Sequence, residues 1–241
     1  MCTVTLIPIG KADFILTSNR DEAPDRKSLD PDFYIEKGVN LLYPKDVLAG
    51  GTWIGVSEKK RMICLLNGGF TLHKRLAEYR LSRGIIVKDL LVASSFIDQI
   101  EKYNLVDVEP FTIVLVDWLD ELIFIEFVWD GVAKHVSKLP LKPKIWSSSS
   151  LYTEEMKNVR LDWFEDYKAN NELNPESILN FHKSAGEDNE DYGVIMDRGF
   201  VKTTSITQVE KHQSDIEMTF YNLQKDTFSK SNISFSKSIN D

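Results

Sequence analysis

The chain has 241 residues, 29 Lys and Arg against 37 Asp and Glu, and 42% hydrophobic residues, enough to bury a sizeable core. A net charge of −8 argues against nucleic-acid binding by phosphate neutralisation, and 11% aromatic residues argue against a disordered chain. Without a run of about 18 apolar residues no integral membrane segment is expected, and two cysteines, Cys2 and Cys64, cannot build a disulfide framework, so a reduced, cytoplasmic compartment is the default.

The opening segment lacks the basic start and continuous apolar run of a secretory signal, because Pro8, Gly10, Lys11 and Asp13 interrupt it. It reads instead as two strands. Val4, Leu6 and Pro8 alternate with Thr3, Thr5 and Ile7, and Phe14-Ile15-Leu16-Thr17 restarts after a turn at Gly10-Lys11. Residues 26–49 are polar and punctuated by Pro31 and Pro44. They are expected to form a long irregular loop, the kind of segment that covers or lines a binding site. Trp53 to Val56 and Arg61 to Leu66 then predict a hairpin with one heavily buried strand. From Leu76 to Asn104 the expectation is helix, on the spacing of Ile86, Leu90, Leu91, Phe96, Ile97 and Ile100.

A second block of strands is predicted over 111–118, 121–129, 133–139 and 144–147. Helices follow over 153–170, with Thr153 as cap, and over 175–184, with Asn174 as cap and Pro175 at the first helical position. Residues 186–191 make an acidic loop, and strands at 201–209, 216–222 and 227–234 close the chain. With no repeat and no linker, this order predicts one domain over 1–241, built from layered sheets flanked by helices rather than from βαβ units.

Metal and nucleotide chemistry find little support. His73, His135, His182 and His212 are far apart and outside any HExxH or CxxC context, and no GxxxxGK[ST] or GxGxxG appears. No metal and no cofactor are expected. Cys64, inside an apolar strand, reads as a small buried hydrophobe. Trp118, Trp129 and Trp163 read as packing, and Trp53 as a cap on either a pocket or the core.

Cys2 offers more. Methionine is commonly removed before a small second residue, which would leave a thiol and a free α-amine on Cys2. The amine, with a pKa near ~7.7–8.0, can accept the thiol proton, so no histidine is needed. The second strand runs directly into Asn19-Arg20-Asp21-Glu22, which an antiparallel hairpin sets opposite the start of the first strand. An arginine there favours the thiolate, and an aspartate orients the amine.

The segments MCTVTLIP, NRDE at 19–22, GGTW at 50–53 and LLNGG at 65–69, with Ser82-Arg83-Gly84 and Thr203-Thr204-Ser205, resemble the NRDE family, which includes the transport and Golgi organisation 2 proteins. The family is similar in turn to N-terminal nucleophile (Ntn) hydrolases of the choloylglycine hydrolase and penicillin V acylase type. The resemblance implies an α+β, four-layer αββα sandwich that cleaves non-peptide amide bonds through a cysteine thioester. It assigns Cys2 as nucleophile, Arg20 and Asp21 as its flanking residues and Asn67 as an oxyanion donor. Where relatives carry a second oxyanion Asn, this chain reads Ser147-Ser148-Ser149-Ser150, with Ser149 as the counterpart. Asn19, Trp53, Ser149, Arg160 and Thr204 are the candidate substrate-binding residues. The expected function is an amidohydrolase or thioesterase acting on a small-molecule amide or acyl substrate. The alternative is a non-catalytic carrier or trafficking protein for haem or a lipid or acyl ligand, although neither a CP dipeptide nor a suitably placed His–Met pair supports haem.

Overall fold

The computed structural model describes residues 3–235. The first strands, β1 (Thr3–Ile9) and β2 (Asp13–Glu22), form the predicted hairpin. Its turn places Gly10 at φ +63°, in the left-handed region that glycine enters without steric cost. This hairpin lies inside a six-stranded antiparallel sheet. β10 (Lys144–Ser147) pairs with β1, while β11 (Lys202–His212) pairs with β2 and carries β12 (Asp215–Asn222) and β13 (Thr227–Ser234) outward.

The second sheet is a seven-stranded meander in chain order: β3 (Ser28–Glu36), β4 (Val39–Asp46), β5 (Ile54–Ser57), β6 (Arg61–Asn67), β7 (Phe111–Asp117), β8 (Ile123–Trp129) and β9 (Lys134–Leu139). Residues 26–49 are therefore not the irregular loop expected. Most of them form the β3–β4 hairpin, turning at Lys37 and Gly38, both with positive φ, as a two-residue hairpin requires. The polar look has a cause in position. β3 is an edge strand with one side in solvent, and Pro31 sits where its register with β4 shifts, a place that needs no ladder N–H.

Period-two alternation gives each sheet two usable faces. Val4, Leu6, Phe14 and Leu16 of one sheet meet Leu42, Ile54, Val56, Met62, Cys64, Leu66 and Val114 of the other in a central core. On the far side of the seven-stranded sheet, Ile63, Leu65 and Ile113 pack under α1 (Arg83–Val92) and α2 (Phe96–Lys102). On the far side of the six-stranded sheet, Ile7 and Ile15 pack under α3 (Glu154–Asn170) and α4 (Pro175–Ser184). The result is the four-layer αββα sandwich.

The helix expected over 76–104 is shorter and broken. Residues 76–82 are irregular, and the break at 93–95 has two causes. Ser95 accepts a hydrogen bond from the Asp98 amide and starts α2 as an N-cap. The buried Arg61 donates to the carbonyls of Leu90 and Ala93, closing the end of α1. The caps expected at Thr153 and Asn174 are present, the latter as a reciprocal capping box with Ser177. Among the described residues no helix is long and apolar enough to cross a membrane.

Candidate active site

Alternation along β2 sorts its side chains between two environments. Phe14 and Leu16 face the other sheet, and Arg20 follows the same parity. Ile15 and Asn19 face the helical layer, and Asp21 follows theirs. Arg20 is 2% exposed. Its Nη2 donates to Asp46 Oδ2 at 3.0 Å and lies 3.7 Å from Glu22 Oε2, and its Nη1 donates to Thr204 Oγ1 at 3.2 Å. The guanidinium carbon stands 4.5 Å from the centre of the Trp53 ring, close enough for a cation–π contact. Burial pulls the guanidinium pKa below its ordinary value, opposed by the charges of Glu22 and Asp46. Thr204 reaches Arg20 because β11 loses register between Thr203 and Ser205. Such a bulge re-aims one side chain, and the Thr204 hydroxyl donates in turn to the Arg20 carbonyl at 3.0 Å.

Asp21 is fixed by two hydroxyl donors, Tyr152 Oη at 2.6 Å and Thr203 Oγ1 at 2.7 Å. Thr3, the first described residue of β1, pairs with Asn19 on one side and Ser147 on the other. Arg20 and Asp21 therefore sit beside the leading edge of β1, as the hairpin argument requires.

Asn67 ends β6 half-buried. Its carbonyl accepts from Ser148 Oγ at 2.7 Å, and its carboxamide makes no hydrogen bond among the described residues. Arg20, Trp53 and Asn67 line one cleft, closed below by Gly51, Thr52 and the start of α1. Asp21, Asn67, Arg26 and Arg83 continue into its outer part, which encloses about 310 Å³. Arg83 is anchored to Glu109 Oε2 at 3.0 Å.

Three other candidates occupy different surroundings. Asn19 lies in the helical layer, where its Nδ2 donates to the carbonyls of His182 and Val194. Ser149 donates its hydroxyl to the carbonyls of Gly69 at 2.6 Å and Phe70 at 3.1 Å, and lines a neighbouring groove with Trp146 and Lys157. Arg160, fully buried, donates to Thr3 Oγ1 and to the carbonyls of Tyr192 and Gly193, and covers the Tyr152 ring at 3.7 Å. It secures the start of β1 rather than lining the cleft.

Cys2 itself lies outside the described residues. Cys64 is fully buried, and desolvation pushes its thiol pKa up to about 12, so it packs as a hydrophobe. Among the described residues no group of three His, Cys, Asp or Glu side chains could hold a metal ion. Sequence reasoning missed Asp46, Tyr152 and Glu109. Each is brought in by a distant element, with no local pattern to announce it.

The assembled groups are a fixed guanidinium, a fixed carboxylate and a half-buried amide donor. Such a set suits a reaction in which charge develops on a carbonyl oxygen beside a strand terminus.

A family model described as "Transport and Golgi organisation 2" matches residues 1–193. No curated protein matches the chain in sequence. In structure it is similar to an N-acylethanolamine-hydrolyzing acid amidase ortholog from Caenorhabditis elegans, at TM-score 0.57 and 10% identity over 86% of this chain and 92% of that one. It is also similar to penicillin V acylase from Agrobacterium tumefaciens, at 0.54 and 10% over 95% and 85%. A variant of the conjugated bile acid hydrolase from Clostridium perfringens matches at 0.51 and 11% over 99% of both chains. At such identities the likeness concerns the fold. The family match extends over most of the chain, and from it follows the assignment: this protein belongs to the transport and Golgi organisation 2 family and has the fold of the Ntn hydrolases.

Proposed function

We propose that the protein is an N-terminal cysteine hydrolase that cleaves a non-peptide amide or a thioester through a covalent intermediate on Cys2. The observation that carries this reading is the meeting of Arg20, Asp21 and Asn67 in one cleft beside the leading edge of β1. Cys2 is bonded to Thr3, so its Cα lies within ~3.8 Å of that residue's Cα. Arg20 lies on the side of the β1–β2 hairpin that Val4 and Leu6 share, one pair beyond Thr3 and Asn19.

In the proposed reaction the α-amine takes the thiol proton and the thiolate attacks the carbonyl carbon, forming a C–S bond. Asn67 and a backbone N–H hold the oxyanion, and Arg20 favours the thiolate. The amine returns its proton to the leaving nitrogen or sulfur as the scissile bond breaks. Water then attacks the thioester, with the same amine as base, and releases the acid. Asp21 holds the protonated amine between these steps.

The test joins intact-mass measurement with hydrolysis of a panel of N-acyl amides and acyl thioesters. Active protein is expected to have lost Met1, and Cys2→Ala is expected to reduce turnover by several orders of magnitude while leaving the fold intact. Hydrolysis by protein that retains Met1, or undiminished hydrolysis by Cys2→Ala, would overturn the proposal.

A further inference from the structure

The irregular segment over residues 70–82 at the cleft mouth has a composition that catalysis does not require. Phe70, Leu72 and Leu76 are 51%, 74% and 56% exposed, and Phe200, next to the cleft residue Val201, is 74% exposed. Leu72 borders two cavities at once, the outer cleft and a mostly apolar hollow with Leu151 and Tyr152. Phe70 borders the neighbouring groove, where its ring meets His135 edge-on at 5.0 Å. Isolated exposed apolar residues are ordinary, but several along one short segment mark an interaction surface.

Charge indicates what that surface meets. In a chain of net charge −8 this stretch carries Lys74, Arg75 and Arg80 against Glu78 alone. Lys74, Arg75 and Arg80 are exposed. The Arg80 guanidinium is directed at the carbonyls of Asn104 and Val106 rather than at a carboxylate. Glu109 gathers His73, Arg75 and Arg83 at 3.4, 3.7 and 3.0 Å, which ties the base of the segment to the residues leading into β7 and leaves Leu72 and Leu76 exposed.

We infer that residues 70–82, with Phe200, dock the protein on an anionic lipid surface, so that the cleft opens against the bilayer. Large apolar side chains interleaved with basic ones enter the headgroup boundary, and anionic lipid attracts the cations.

Flotation with vesicles of phosphatidylcholine alone and of phosphatidylcholine with phosphatidylserine tests this directly. The full chain is expected to float with the phosphatidylserine vesicles and to be released by high salt. A Phe70→Ser/Leu72→Ser/Leu76→Ser variant is expected to bind at least tenfold more weakly with unchanged circular dichroism, and Lys74→Glu to weaken binding by a smaller factor. Cys2→Ala should float like the wild type, which separates this inference from the hydrolase reading. Failure to float with either vesicle would overturn it, as would equal flotation of the triple serine variant. So would a wild-type self-association that the triple variant abolishes without any lipid binding, since the apolar rim would then serve a second copy of the chain.

Discussion

The Arg20 guanidinium is held from three sides: by Asp46 in the opposite sheet, by Thr204 on the bulged neighbour strand and by the face of Trp53. A planar fork satisfies these partners simultaneously, whereas an ammonium offers one compact charge and cannot stack. Arg20→Lys is therefore expected to lower stability by about 1–3 kcal/mol, because at 2% exposure water cannot replace the lost contacts. The loss should appear as a lower urea midpoint with an unchanged slope. A midpoint equal to wild type would mean that a point charge suffices here. Asp46 also accepts from Arg26 Nε at 2.9 Å and from the Ala49 amide, so the carboxylate keeps partners in the variant and the cost stays below that of stranding a buried ion.

At the level of elements, the cleft floor depends on two short motifs distant in sequence. Gly51-Thr52 before β5 and Ser82-Arg83-Gly84 at the start of α1 touch backbone to backbone. A Cβ on Gly84 would stand 2.9 Å from both the amide nitrogen and the carbonyl oxygen of Thr52, and one on Gly51 would stand 2.7 Å from the Gly84 carbonyl carbon. No flexible side chain is there to give way. Gly84→Ala should consequently destabilise by about 1–3 kcal/mol, as overpacking does, and differential scanning calorimetry should show a lower Tm. An unchanged Tm would show that α1 can slide away from β5. This contact also marks the limit of what the sequence discloses. Strand alternation, helix caps and the turn at Gly10 are local, and all could be read from neighbouring residues. The β3–β4 hairpin reads as a loop because an edge strand with a proline at its bulge carries no regular alternation. The helix over 76–104 was overextended because its apolar spacing begins only at Ile86. The place of Arg20 and Asp21 beside β1 was legible from the hairpin register, whereas Asn67 is singled out only through the family resemblance. Asp46, Tyr152 and Glu109 were not legible, since tertiary packing alone brings them to the site. The β11 bulge that aims Thr204 has no sequence signature.

Across the whole molecule, the helical layer is joined to the six-stranded sheet through His182, which is buried on α4 between β1 and β2. Asn19 Nδ2 donates to the carbonyls of His182 and Val194, so its Oδ1 must accept, and the proton it accepts is on His182 Nδ1 at 2.5 Å. His182 Nε2 therefore accepts from Thr5 Oγ1 at 2.8 Å. The ring is neutral in this arrangement. Complete burial, with the nearby charge of Arg160, lowers its pKa to about 3, against ~6.5 in an unfolded chain. Because the unfolded chain takes up this proton first, the contribution to stability is complete above about pH 6.5 and is lost as pH falls toward 3. Carboxylates begin to titrate in the lower part of that window, so the informative quantity is a difference between proteins. His182→Gln offers a neutral donor and acceptor of similar reach that does not titrate. Urea unfolding from pH 7.5 to 5 is expected to give a stability that declines more steeply for the wild type than for the variant, by at most ~1.4 kcal/mol per pH unit. Above pH 7 the variant is expected to be the less stable, since the amide cannot fill the space of the ring against Phe181. The two curves should converge as the solution is acidified. Parallel curves would show that folding leaves the His182 pKa where it is in the unfolded chain, and a wild-type stability that rises relative to the variant as pH falls would show that the folded ring carries the second proton; either result would overturn the neutral tautomer deduced from Asn19.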